Sequence, residues 1–252
     1  MGKGGAHVTE FTISLAGVAV GVAALYPRTE AFCRDYLTDA APQCALTISE
    51  ADIDSEAERS AREDALEGIG PRHFSRPYLE TLAVYRKAAD LLLEKGAVVF
   101  HSAVVAYNGK AYAFTAKSGT GKTTHVNLWL KNIPGAYVLN GDKPLLRWVD
   151  GQVFACGTPW QGKENLGRNE MLPLAAICLL ERSEGNHIAE IGFSEAMGML
   201  VQQTNRSDRP ELTLPTLDLI GKIGTAVKLY RLGCNRDDEA AWVSFRAMTE
   251  GT

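Results

Sequence analysis

Between positions 78 and 95 apolar side chains recur three and four residues apart: Leu79, Leu82, Ala83, Ala89, Leu92 and Leu93, with only Arg86 breaking the stripe. That period predicts an amphipathic helix. Lys95 and Gly96 supply a basic last turn and a natural C′ residue. The pattern then shifts to an apolar run over 97–107, the dipeptide Asn108-Gly109 and a second run over 110–115. Asn-Gly between two apolar runs predicts a β-hairpin, because both turn positions tolerate positive φ. A second hairpin is expected over 144–149 and 152–155, around Asp150-Gly151. Strands are predicted at 136–139, 174–180 and 227–232, and helices at 194–203, 215–225 and 237–248. The run at 174–180 is apolar without alternation, as in a central strand.

The first 55 residues read as short strands. The apolar stretch from Phe11 to Tyr26 is shorter than the ~20 residues of a membrane span, and Gly17 and Gly21 interrupt it. It reads as buried β structure. Residues 50–67 are dense in charge and read as a solvated surface or connecting region, or alternatively as an edge of a substrate site. Strands alternating with helices, plus two hairpins, predict an α/β chain of α+β character with a mixed sheet. The expected division is a small, mainly β region over 1–74 and a larger domain over 75–252.

Composition narrows the function. The chain has 252 residues, 46% hydrophobic and 22% charged, so a substantial core is available. A formal net charge of −4 gives no support for a nucleic-acid binder. Five cysteines at wide spacings, without Cys-x-x-Cys, fit free thiols in a reducing compartment and hence a cytoplasmic protein. Nothing else in the sequence suggests a membrane.

The hairpin strand 110–115 runs into Ala116-Lys-Ser-Gly-Thr-Gly-Lys-Thr-Thr124. This matches the P-loop template G-x-x-x-x-G-K-[ST] except at its first position, which is Ala116. Backbone N–H groups from Ser118 to Thr123 can converge on phosphate oxygens, and the following helix adds its positive dipole end. The cradle is Ser118, Gly119, Thr120, Gly121, Lys122, Thr123 and Thr124. Lys122 would sit on the β/γ-phosphates, and Thr123 would coordinate Mg²⁺. The cofactors expected are therefore ATP and Mg²⁺. Asp142 follows twenty residues after Lys122, at the end of a strand.

Taken together, Phe100-His-Ser-Ala103, Ser118-Gly-Thr-Gly-Lys-Thr-Thr124, Leu139-Asn-Gly-Asp142, Gly157-Thr-Pro-Trp160, Leu229-Tyr-Arg-Leu232 and Glu239-Ala-Ala241 resemble the HPr kinase/phosphorylase-like family of the phosphoenolpyruvate carboxykinase-type P-loop superfamily. The resemblance spans roughly 75–250. It implies a P-loop kinase core and transfer of the γ-phosphate of ATP to a hydroxyl, either a serine of a protein or peptide or a small alcohol. It also raises the expectation of a homo-oligomer. In that family two adjacent aspartates share the roles of base and metal ligand. Here the pair is Gly141-Asp142. Asp142 is assigned to the metal. The base is either His101, since histidine titrates near neutral pH, or Asp142 itself. In the polar loop 157–168, Lys163 and Arg168 could neutralise transferring phosphate and Glu164 could hold a cation. Lys143 reads equally as a phosphate contact or a solvated edge. Two competing readings are a nucleotide-binding regulatory module without catalysis and a carboxykinase-like enzyme.

Overall fold

The computed structural model describes residues 8–117 and 119–250. The chain forms two compact units, Met1–Leu91 and Leu92–Thr252. The division falls inside a helix, beyond the expected boundary at 74/75.

In the first unit, β1 (Thr9–Leu15) and β2 (Val18–Ala24) form an antiparallel pair, and β3 (Cys44–Thr47) adds to β2 in parallel. The turn Ala16-Gly17 takes positive φ at both positions (51° and 73°), as a tight hairpin of this kind requires. The apolar stretch read as buried β structure is this hairpin, with Ile13, Leu15, Val20 and Ala24 fully buried. The unit is not mainly β, however. It contains α1 (Pro27–Phe32), α2 (Glu50–Glu67) and α3 (Arg76–Leu93).

Helix α2 replaces the expected connecting region. Ser49 caps it, accepting from the Asp52 N–H, while Asp52 returns a bond to the Ser49 N–H at 2.8 Å. Its charges are spent on cations of α3 and the segment before it. Asp54 pairs with Arg76 at 2.8 Å, Asp52 with Lys87 at 2.7 Å, Glu56 with Arg86 at 2.5 Å and Asp64 with Arg72 at 2.5 Å. Arg86, the break in the α3 stripe, is thus the partner of a buried glutamate. Glu80 of α3 is fully buried and accepts from the N–H groups of Leu25 and Tyr26, serving the start of α1 from a distance.

The second unit is a nine-stranded mixed sheet covered on both faces. Its elements are β4 (Ala97–Val99), β5 (Ala103–Tyr107), β6 (Lys110–Thr115), α4 (Lys122–Asn132), β7 (Tyr137–Asn140), β8 (Leu145–Val149), β9 (Gln152–Cys156), β10 (Met171–Arg182), β11 (His187–Glu190), α5 (Phe193–Gln203), α6 (Thr213–Ala226), β12 (Lys228–Cys234) and α7 (Glu239–Glu250). Strand β6 pairs antiparallel with β5 and parallel with β10, and β10 pairs parallel with β12. Period-two alternation sends Val104, Ala113 and Ile177 into a core shared with α5 and α6, and Val105, Phe114 and Cys178 into a core shared with α4 and α7. Among the described residues no helix is long and apolar enough to cross a membrane.

One expectation changes here, and one strand is new. The run 97–107 is not one strand. It breaks at residues 100–102, with β4 pairing to β8 and β5 to β6 and β7. The short strand β11, beside β12, had no periodic signal.

Candidate functional site

The glycine loop leaves β6 at Thr115, whose buried hydroxyl donates to the His101 carbonyl at 2.9 Å. Ala116, where the template has glycine, is fully buried and packs into the core beside α4. Gly119 and Gly121 take φ of 75° and 128°, conformations that L side chains rarely adopt. Gly121 is the N-cap of α4, and no side chain caps it. Among the described residues no side chain caps these first-turn N–H groups, and an anion would supply the missing acceptor. Lys122 reaches back to the Ala116 carbonyl at 3.4 Å. Burial lowers its pKa, as does Lys143, while Asp142 works against the shift. Arg182, at the end of β10, donates to the Gly119 carbonyl at 2.5 Å. Ser118 lies outside the described residues.

Opposite this loop stand His101 and Asp142. The strand break at 100–102 is stitched in place by backbone bonds from Phe100 N to Pro144 O, His101 N to Gln203 O and Ser102 N to Asp142 O. His101 Nε2 lies 3.0 Å from Asp142 Oδ1, and Lys143 Nζ lies 2.6 Å from Asp142 Oδ2. Burial opposes the charge of Asp142. The His101 and Lys143 contacts together outweigh it and hold the carboxyl well below its usual range. A carboxylate that accepts from Nε2 leaves Nδ1 of a neutral His101 as the ring's lone-pair nitrogen.

Asn140 is the residue that sequence reasoning passed over. Its buried side-chain oxygen accepts the N–H groups of Asp142 at 3.0 Å and Lys143 at 2.9 Å. Its amide donates to Thr158 O and Oγ1, both at 3.1 Å. This turn fixes where Asp142 points. The signal was present in Asn140-Gly-Asp142, since asparagine bonds its own backbone two residues on.

Gly141 has a steric reason to be glycine. A Cβ there would meet the Gln161 carbonyl oxygen at 2.6 Å and the Leu166 carbonyl oxygen at 3.4 Å. The loop 157–168 is laid against this point by Gly141 N to Leu166 O (3.1 Å) and Arg168 N to Leu139 O (3.0 Å), with Trp160 buried beneath. A second aspartate does not fit at 141 while that loop is in place.

These pieces line one cavity of about 430 Å³, which includes His101, Lys122, Thr123, Asp142, Lys163 and Glu164. Gly119, Thr120 and Gly121 line it as well. Two expected residues lie elsewhere. Arg168 stacks on the Tyr137 ring at 3.9 Å and faces Glu170 at 3.7 Å. Thr124 lines a second cavity behind the loop. Among the described residues no group of three or more His, Cys, Asp and Glu side chains could hold a metal ion. Mg²⁺ bound through nucleotide phosphates needs only one or two protein carboxylates. Thr123, Asp142 and Glu164 in one cavity fit that demand, since each carboxylate oxygen of Asp142 keeps a further lone pair.

No protein-family model matches the chain, and no curated protein matches it. Among solved structures, the Hpr(Ser) kinase/phosphatase from Coxiella burnetii is similar at a TM-score of 0.36 and 7% identity, over 61% of this chain and 95% of that one. The likeness is remote, and the roles assigned below rest on the geometry of the site itself.

Proposed function

We propose that residues 92–252 form a P-loop phosphotransferase that binds ATP with Mg²⁺ and moves the γ-phosphoryl group to a hydroxyl acceptor, a serine of a protein or peptide or a small alcohol. The observation that carries this reading is the convergence, in one cavity, of an uncapped helix start behind a positive-φ glycine loop, Lys122, and the His101–Asp142 pair.

In this reading the Gly119–Thr123 backbone and Lys122 hold the phosphates. Thr123 and Asp142, with Glu164 nearby, hold the metal. Bound Mg²⁺ supplies neutralisation of phosphate charge. His101 takes the acceptor proton as the acceptor oxygen bonds to the γ-phosphorus and the bridge to the β-phosphate breaks, leaving ADP. A carboxyl held below its usual range binds a proton weakly, so Asp142 orients His101 and is the lesser base. Lys163 lines the same cavity, and its charge would neutralise the transferring group.

The test is phosphate transfer from γ-labelled ATP to a panel of serine peptides and small alcohols. Lys122→Ala should abolish it, and His101→Asn should slow it by about 10²–10⁴. Equal ATP consumption by wild type and Lys122→Ala would sink the assignment. Gly141 favours a second reading, a nucleotide-binding module without catalysis, because the close approach of Gln161 excludes the second carboxylate. Lys122-dependent binding of ATP with no turnover on any acceptor would identify it.

A further inference from the structure

A cavity of about 300 Å³ is formed by the last turn of α5, the segment 204–207 and the first two turns of α6. The phosphotransfer reading uses none of the residues that line it. Val201, Leu212, Leu217 and Ile220 make its walls apolar. At ~30 Å³ per water-sized group, it holds about ten such groups.

The polar groups in these walls point to one kind of ligand. No carboxylate lines the cavity, and Arg206, which does, forms no ion pair among the described residues. Thr204 and Thr216 spend their hydroxyl hydrogens on the carbonyls of Leu200 and Leu212, both at 2.7 Å. Ser207 Oγ accepts the Arg209 N–H at 3.1 Å and keeps its own hydrogen. Among the described residues, the lining side chains whose hydrogens have no acceptor are Arg206, Ser207 and Thr213. An apolar box with three donors to spare, one of them cationic, suits an apolar body that carries an anionic acceptor.

One wall of this cavity also holds His101. Thr204, a lining residue, is bridged antiparallel to Phe100. On either side of it, Gln203 O accepts the His101 N–H at 2.7 Å and Asn205 N donates to Val99 O at 3.0 Å. The segment that closes the cavity is therefore the backbone partner of the strand break that carries His101.

We infer that this cavity is a separate ligand site, for a small carboxylic acid with an apolar chain or ring, and that its occupancy steadies the segment that holds His101. The carboxylate goes to Arg206, and the apolar body lies against Val201, Leu217 and Ile220. A ligand that binds only the closed wall stabilises that wall by mass action. It acts on His101 through backbone bonds, without touching the reacting groups. The site stands apart from the phosphotransfer reading. Its consequence for catalysis, a base whose placement depends on a second ligand, rests on that reading.

The probe is octanoate, with 1-octanol as its uncharged counterpart, titrated calorimetrically into the full chain, Arg206→Gln and Leu217→Glu. Wild type should bind octanoate about fivefold more tightly than octanol, the upper range for an exposed ion pair. Arg206→Gln should remove that advantage and leave octanol within about twofold. Leu217 is an exposed helix residue, so Leu217→Glu spares the core. It sets a like charge in the wall and should weaken octanoate at least fivefold. Failure of wild type to bind octanoate, equal affinity for the two probes, or full octanoate affinity in Arg206→Gln would overturn the site. Hydrogen exchange reads the link to His101. With octanoate at about ten times its Kd, exchange of the His101 and Asn205 amides should slow about tenfold, since their bonds join the wall to the break. Unchanged rates in a chain that binds octanoate would overturn the link. Neither readout uses nucleotide, and Lys122→Ala should match wild type in both. Loss of the octanoate effects in Lys122→Ala would overturn this inference, whereas unchanged ATP binding in that variant would overturn the ATP reading and leave the site standing.

Discussion

Replacing Gly141 with alanine tests the packing that shapes the site. The new Cβ would sit 2.6 Å from the Gln161 carbonyl oxygen, where ordinary contact begins near 3.4 Å. The obstructing atoms are backbone, so no side chain can rotate away. The loop 161–167 must move by several tenths of an ångström. That movement loosens Gly141 N–H to Leu166 O and Arg168 N–H to Leu139 O. Overpacking of this kind costs about 1–3 kcal/mol, and a weakened hydrogen bond adds up to about 1 kcal/mol. Against this stands a gain of about 0.4–1 kcal/mol from stiffening the unfolded chain. The net expectation is a loss of about 1–3 kcal/mol. All four tryptophans, Trp129, Trp148, Trp160 and Trp242, lie in the second unit, so their fluorescence during urea unfolding reports on it alone. Gly185→Ala is the control, since a Cβ there meets nothing within 4 Å. If Gly141→Ala is as stable as Gly185→Ala, the steric account of Gly141 is wrong.

Ser49→Ala should destabilise the first unit by about 1 kcal/mol, the usual worth of an N-cap, read by far-UV circular dichroism during denaturation. Burial lowers the His125 pKa from 6.5 to about 4. A depressed folded pKa means stability that is complete above pH 6.5 and lost as pH falls towards 4. Between pH 7.5 and 4 the metal-free wild type should therefore lose about 3 kcal/mol more than His125→Gln, and parallel losses would refute it. Arg168→Ala should leave the Kd for ATP within about twofold, because its guanidinium lies on Tyr137 outside the cavity and exposed charge contributes little; isothermal calorimetry checks this.

The sequence was legible where local chemistry decides the outcome. Asn108-Gly109 and Asp150-Gly151 turn their hairpins with positive φ at all four residues. The glycine loop sits between β6 and α4 as its spacing implied. Helix α2 was missed because its charges look solvated in one dimension, while in three they face Arg72, Arg76, Arg86 and Lys87. The capping pair Ser49-x-x-Asp52 was the available clue. The break at His101 has no local cause. It arises because β4 and β5 pair with different strands, and that same break brings His101 to Asp142. Lys143 could not be placed from sequence, because its role depends on the Asn140 turn that aims it at Asp142.

The central claim is that the loop at 116–124 and Lys122 hold the phosphates of ATP. Equilibrium binding of ATP·Mg²⁺ to wild type and to Lys122→Ala tests it most directly. Loss of one charged contact to phosphate, worth about 1.5–3 kcal/mol, predicts affinity lower by about 10–100-fold in the variant. Equal affinity in the two proteins would contradict the account.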